Sequence, residues 1–209
     1  SMENDNCVPL YSAIGLGLRI AEKSKIGKRV LTFSASPEWV NLDNCPDFVS
    51  MVAKVQVSPW GANTNFEAAL NLILDAAISN NISPKDMNDM VLVILSDMQI
   101  DLSRGENTTM FKTMKQKYSD AGLKTTHNTP YKLPHIVFWN LRSTDGFPSL
   151  SSTENTTMMS GNNPSLLNAF AEDGLDSLKH LTPWNQLVNV LNHERYNHLE
   201  NIMDNLWTY

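Results

Sequence analysis

The chain has 209 residues, of which 42% are hydrophobic and 18% charged, so it is long enough to bury the core of one sizeable domain. A formal net charge of −6 excludes a duplex nucleic-acid binder that relies on a broad basic face. The sequence shows no signal peptide and no apolar run of 18 residues, which predicts a protein that does not enter a membrane. Cys7 and Cys45 are far apart and form no CxxC motif, so a reducing compartment, the cytoplasm, is expected.

The first half of the chain predicts two helices and two strands. Residues 8–24 carry apolar side chains at helical spacing, and residues 30–33 form a short apolar strand that Ser and Pro end. Residues 50–59 are predicted as another strand, because their valines partly alternate with other residues. Residues 66–79 then form a clear amphipathic helix.

The second half predicts three strands and further helices. The run "MVLVILSD" at 90–97 is continuously apolar, as in a strand buried on both faces of a parallel sheet, and "LPHIVFWNL" and the shorter "TTMMSG" are two more strands. Helices are predicted over 107–121, over "PSLLNAFAED" and over residues 183–207. This alternation is typical of a doubly wound α/β fold. We therefore expect an α/β domain over residues 1–172 and a C-terminal helical extension over residues 173–209, packed on it.

Oxygen-bearing side chains follow three of the predicted strands. Ser96 and Asp97 end one strand, the loop 61–65 follows a second, and Asn140 ends a third. Functional groups gather at the carboxyl ends of strands in open parallel sheets. Oxygen ligands from separate loops suit Mg²⁺, so these positions are candidate ligands or neighbours of ligands.

Each of these positions also has a plain structural interpretation. Asn63, Thr64 or Asn65 would cap the helix that begins near Phe66. Asp97 would cap the following loop, and Asn140 would belong to a turn after a packed tryptophan. The five histidines show no metal-ligand spacing and are expected at the surface: His127, His135, His180, His193 and His198. No GxSxG elbow, Walker A loop or GxGxxG after a strand is present, so we expect a protein that is not an enzyme.

Four stretches resemble the von Willebrand factor A (vWA) domain in their order along the chain: "WGANTNFEAALNLIL", "VLVILSDMQID", "IVFWNLR" and "TTMMSGNNPSLLNAF". They are most similar to a branch of that family found in plants, fungi and large DNA viruses and related to the vWA half of the Ro/TROVE proteins. The resemblance covers roughly residues 7–172. It implies a Rossmann-like, mostly parallel sheet flanked by helices and a metal-ion-dependent adhesion site (MIDAS).

The resemblance assigns ligands to that site. Thr64 matches its threonine and Asp97 its second aspartate, while Asn65, Ser96 and Asn140 would orient ligands or line the rim. Ser1 and Met2 are similar to the end of the family's DxSGSM motif, so Ser1 would be a third ligand. The motif's aspartate, its first serine and the first strand would then lie upstream, and an upstream polypeptide would supply that strand. Metal binding by this chain alone would be weak or absent.

These expectations lead to a metal-dependent protein-binding module. Mg²⁺, or Mn²⁺ or Ca²⁺, would keep one coordination position open for an Asp or Glu of a protein partner. The alternative is a metal-independent assembly domain that acts through its sheet edge or its C-terminal helix. A weaker alternative, by analogy with Ro proteins, is a part of an RNA-associated protein.

Overall fold

The computed structural model describes residues 9–24, 27–32, 34–58, 65–98, 106–142 and 155–161, together with positions 184, 187, 188, 191 and 192. The helices within these residues are α1 (Pro9–Glu22), α2 (Phe48–Gln56), α3 (Phe66–Ser79), α4 (Pro84–Asn88) and α5 (Glu106–Lys124). The strands are β1 (Arg29–Leu31), β2 (Trp39–Asn41), β3 (Val91–Ser96), β4 (His135–Asn140) and β5 (Thr156–Ser160).

Two sheets are present among the described residues. β3, β4 and β5 form a parallel sheet in that order, and its register puts Ser96 opposite Asn140 and Asn140 opposite Ser160. β1 and β2 form a separate antiparallel pair. The protein is therefore a mixed α/β protein, as its alternating strand and helix patterns predicted.

The chain divides into two compact units, Ser1–Asn162 and Asn163–Tyr209. The boundary predicted after residue 172 lies outside the described residues and stays a prediction. The two predicted tail helices also lie largely outside them. Where positions there are described, the Asn192 amide donates to the Val188 carbonyl at 2.8 Å, which is the spacing of an α-helical turn. None of the helices in the described part of the chain has the length and apolar character needed to cross a bilayer.

The strand predicted over 50–59 is wrong, because residues 50–56 lie in α2. Its start is fixed by a capping box: the Ser50 amide donates to Asp47 Oδ1 at 2.7 Å, and the Asp47 amide is 3.2 Å from Ser50 Oγ. The bond from the Ser50 amide also lowers the pKa of the Asp47 carboxyl. Met51 and Val55, four residues apart, are buried on one face, whereas Val57 is 84% exposed. The partial alternation of valines was therefore a misleading signal for a strand.

Two short elements, β2 and α4, were not predicted from the sequence. β2 has three residues, too few for a periodic pattern, and exists through its pairing with β1. α4 carries a start signal that was overlooked, since the Ser83 side chain accepts the Asp86 amide and Pro84 occupies the first turn.

The larger hydrophobic core lies between the parallel sheet and helices α3 to α5, and a smaller one packs α1 and α2 against β1 and β2. The larger core contains the fully buried Leu70, Met87, Met114, Tyr118, Ile136 and Phe138 among others. The smaller one contains Ile14, Leu18, Ala21, Val40, Leu42, Met51 and Val55.

Stability should fall with alkaline pH because of Tyr118, whose hydroxyl donates to the Leu70 carbonyl at 2.6 Å inside the larger core. Burial, and secondly the charge of Asp75, raises the pKa of this phenol well above its usual value. The unfolded chain ionises its tyrosines near pH 10, while folded Tyr118 keeps its proton. Folding is therefore favoured by this group below about pH 10 and progressively less above it.

Urea unfolding between neutral and alkaline pH tests this expectation in the wild type and in Tyr118→Phe. The variant should lose about 1 kcal/mol at neutral pH with the hydrogen bond, and its free energy of unfolding should fall less steeply above pH 10. Lysine deprotonation affects both proteins equally, so equal slopes would contradict the assignment to Tyr118.

Candidate functional site

The carboxyl edge of the parallel sheet brings three polar strand ends into one row. Ser96, Asn140 and Ser160 lie in register on β3, β4 and β5. Backbone hydrogen bonds connect the neighbouring strand ends: the Leu141 amide donates to the Ser96 carbonyl at 3.0 Å, and the Gly161 amide donates to the Asn140 carbonyl at 2.9 Å. Two of the sequence-predicted site residues, Ser96 and Asn140, are thus neighbours.

Asp97 follows β3 directly and is buried, with 8% of its surface exposed. The Met98 amide donates to Ser96 Oγ at 3.2 Å, which folds the chain into a tight turn around Asp97. Met98 takes a positive φ of 60°, an uncommon conformation for a residue with a side chain. The turn therefore holds a carboxylate, a costly group to bury, at the sheet edge.

Asn140 has the corresponding position on β4 and ends that strand in the same kind of turn. Its Oδ1 accepts the Arg142 amide at 3.0 Å, and its side chain is 2% exposed. The preceding Trp139 is buried and its indole N–H donates to the Gly161 carbonyl at 2.8 Å. The turn after a packed tryptophan is therefore confirmed.

Asn65 lies directly before α3 and serves as its N-cap. Its Oδ1 accepts the Ala68 amide at 3.0 Å, and the residue is exposed. The capping alternative considered for this loop is confirmed for Asn65. A role in orienting ligands stays a prediction for this residue.

The start of α3 is anchored near the carboxyl edge by aromatic packing. The ring of Phe66 lies 6.0 Å from that of Phe138, which precedes Asn140 on β4 by two residues, and 5.8 Å from that of Phe111 on α5. Met98 belongs to the same core. The entry to α3 therefore lies near the end of β4, the strand beside the one that leads to Asp97.

Two buried hydroxyl residues after β1 were not identified from the sequence. Thr32 is 2% exposed and Ser34 5% exposed, and the Ser34 carbonyl accepts the Asn65 amide at 3.1 Å. The stretch "SASP" was interpreted only as the end of a strand. The signal in the sequence was that Ser34 directly follows the predicted strand 30–33.

Ser1 and Thr64, the remaining predicted ligands, lie outside the described residues. Within the described ranges, no three His, Cys, Asp or Glu side chains cluster as they would around a metal ion. The chemistry at this edge is instead that of one carboxylate with hydroxyl and amide oxygens, which fits a hard cation such as Mg²⁺ better than Zn²⁺.

The surface placement expected of His135 is wrong. Its ring is half-buried at the opposite, amino-terminal end of β4, with Nδ1 3.1 Å from Asn155 Oδ1 and Nε2 2.8 Å from Thr157 Oγ1. The Asn155 amide group in turn donates to the carbonyls of Leu133 and Pro134 at 2.8 and 3.1 Å. This network joins β4 to β5 and has a structural role. His127 is exposed, as expected.

Comparison with known proteins gives two similarities. Residues 1–204 match the sequence profile of a family described as "Domain of unknown function (DUF7788)". The chain is also 30% identical over 190 residues to a protein of Acanthamoeba polyphaga mimivirus named "Uncharacterized protein L728". That match covers 88% of this chain and 30% of the viral protein, so the chain spans under a third of the length of that relative.

Proposed function

The chain belongs to the DUF7788 family, and we propose that it is a non-catalytic, metal-dependent protein-binding module with a MIDAS-type site. The observation that carries this proposal is the buried carboxylate of Asp97 at the carboxyl edge of a parallel sheet, beside Ser96 and Asn140. The entry to α3, which carries Thr64 and Asn65 in sequence, approaches the same edge through Phe66.

The donor set suits a magnesium ion. Mg²⁺ prefers six oxygen ligands and keeps several waters, so one carboxylate with a few neutral oxygens is sufficient protein ligation. Asp97 would supply the charge, Ser1 and Thr64 would supply hydroxyl oxygens, and Ser96 would orient the ligands. An ion held mainly by neutral groups retains positive charge and attracts a carboxylate from outside. A partner Asp or Glu is therefore compatible with the net charge of −6 of this chain.

We also propose a Rossmann-like, doubly wound vWA-type fold for the first unit. Support comes from α1, which contacts both β1 and β3, so that the two sheets lie beneath one helix. The free thiol of Cys45 supports a reducing compartment, and we place the protein in the cytoplasm.

Magnesium at high concentration is expected to raise the melting temperature of the chain in a way that depends on Asp97, although its affinity for this chain alone is expected to be low. At ten times Kd, binding to the folded state alone adds about 1.4 kcal/mol, or roughly 3–6 °C for a chain of this size. Scanning calorimetry over a magnesium titration, at constant ionic strength kept with sodium chloride, measures the shift. Asp97→Asn should remove it, because the amide keeps the volume and loses the charge.

The matched control is Asp89→Asn, because Asp89 is exposed and lies just before the start of β3, whereas Asp97 follows the end of this strand. This variant should keep the full magnesium shift. A shift that survives Asp97→Asn, or that both variants lose equally, would exclude the proposed site.

A second candidate is a metal-independent assembly domain, favoured by the free edge of β3. In the described part of the chain β3 pairs with β4 alone, although its residues Val91–Leu95 are all apolar. An apolar edge strand is a template for pairing with another segment. A strand from an upstream polypeptide or from a partner would satisfy that edge. The absence of any magnesium shift, together with a higher melting temperature in a longer polypeptide that contains this chain, would favour this candidate.

A further inference from the structure

We propose that the guanidinium of Arg29, held against the ring of Trp39, binds a carboxylate of an acidic protein partner without a metal ion. This binding site is separate from the proposed metal site and does not depend on it. Its starting point is an unsatisfied donor, because Arg29 Nε is buried and has no hydrogen-bond partner in the described part of the chain. A buried donor without an acceptor destabilises a protein, so a ligand that supplies the acceptor is bound favourably.

Arg29 and Trp39 lie on the face of the β1–β2 pair that is turned away from the smaller core. Val30 is opposite Val40 in this pair, and both pack in that core. Because successive side chains of a strand point to opposite faces, Arg29 and Trp39 belong to the other face. The guanidinium carbon lies 6.0 Å from the centre of the Trp39 ring, within the range of a cation–π contact. Both residues are half-buried, so the ring restrains the guanidinium while part of it stays accessible.

Gly27 keeps one edge of this guanidinium free of a side chain. Its φ of 93° lies in the left-handed region that favours glycine. A Cβ on Gly27 would lie 3.3 Å from Arg29 Nη2, 3.6 Å from Nε and 3.9 Å from Cζ. Since Cζ is the farthest of the three atoms, this point lies beside the edge where Nε and Nη2 donate, not above the plane. A carboxylate binds to such an edge by accepting two parallel N–H bonds.

The charges around Arg29 favour a carboxylate as the ligand. Among the described residues no carboxylate forms an ion pair with Arg29, whereas Arg19 is paired with Glu22 at 2.6 Å. One guanidinium matches the single charge and the planar shape of a carboxylate. The net charge of −6 disfavours a polyanion such as a nucleic acid. The Trp39 ring can contact the methylene groups of an Asp or Glu side chain, so an acidic peptide segment fits this site.

The experiment is a titration of the isotope-labelled 209-residue chain with a hexaglutamate peptide, in a buffer with EDTA that removes divalent metal ions. The Nε–H signal of Arg29 in the nuclear magnetic resonance spectrum, identified by its loss in Arg29→Lys, should shift because this group gains an acceptor. Arg29→Lys keeps the charge but loses the pair of donors, and should weaken binding about tenfold. Gly27→Ala places a methyl group at the same edge and should have a similar effect. The matched control is Arg19→Lys in α1, which should bind as the wild type does.

The proposal is supported if hexaglutamate binds, a hexaglutamine peptide does not, and Arg29→Lys and Gly27→Ala alone weaken binding. It is overturned if the Arg29 signal does not move or if Arg29→Lys binds as the wild type does. Inorganic phosphate that shifts this signal at a lower concentration than the peptide overturns the choice of a carboxylate. If Gly27→Ala does not fold, as its melting curve shows, Arg29→Lys decides. Because no metal ion is present, failure here leaves the proposed function intact, and a failed magnesium titration leaves this site intact.

Discussion

Replacing Gly122 by alanine is expected to destabilise the protein by about 3 kcal/mol, the upper end of the usual range for overpacking a core. Gly122 lies in the last turn of α5, where the chain that leads into β4 crosses it. A Cβ there would overlap the Tyr131 amide nitrogen and the Thr129 carbonyl oxygen and would lie 2.8 Å from the Pro130 carbonyl carbon. All three are backbone atoms, so no side-chain rotation relieves the contact.

Displacement of the backbone around Tyr131 in this variant would also disturb the larger core. Tyr131 is 2% exposed, and its hydroxyl donates to the Ile82 carbonyl at 2.6 Å, so a shift of its backbone strains this partly buried hydrogen bond. Urea unfolding measured by circular dichroism gives the change in free energy. The control is Gly15→Ala in α1, where an added Cβ has no neighbour within 4 Å. That variant should gain about 0.5–1 kcal/mol from helix propensity. Equal effects at the two sites would contradict the close approach at Gly122.

Truncating Phe66 to alanine is expected to have the largest effect on stability, a loss of about 3–5 kcal/mol. The ring is 2% exposed and contacts the rings of Phe111 and Phe138, so its removal leaves a cavity between α3, α5 and β4. The transfer of the ring to water and the unfilled cavity contribute together.

A matched control for this variant exists in α2. Phe48 is also the first residue of a helix, but it is 41% exposed, and Phe48→Ala should cost less than about 1 kcal/mol. Chemical unfolding of both variants measures the difference. Comparable losses would mean that the start of α3 is not anchored in the core, and the position of this helix near the end of β4 would then have no support.

The sequence was sufficient for elements whose pattern is long and local. Helices α1, α3 and α5 begin and end within three residues of the predicted positions, because their apolar residues recur at helical spacing over several turns. β3 and β4 were identified from continuous apolar runs, which few other structures tolerate. Even the grouping of Ser96 with Asn140 followed from the sequence, since ends of parallel strands meet at one edge.

The sequence was insufficient where a short segment carries two compatible patterns. In residues 50–59, β-branched valines favoured a strand, while the Asp47–Ser50 capping box and the packing of Met51 and Val55 in the smaller core made a helix. The local preference was overridden because burial of an apolar face contributes more than intrinsic propensity does. β2 likewise depends on a partner strand that no local signal identifies.

The sequence by itself determined the α/β character, most helices and the polar ends of the buried strands, because these depend on neighbours within a few positions along the chain. Only the tertiary structure decided that Asp97 is buried and that the Ser34 carbonyl accepts the Asn65 amide. A hydrogen bond between residues far apart in the chain leaves no periodic pattern in the sequence. Thr32 and Ser34 were therefore not identified from the sequence, because the geometry of such a bond is set by how the helices and sheets pack.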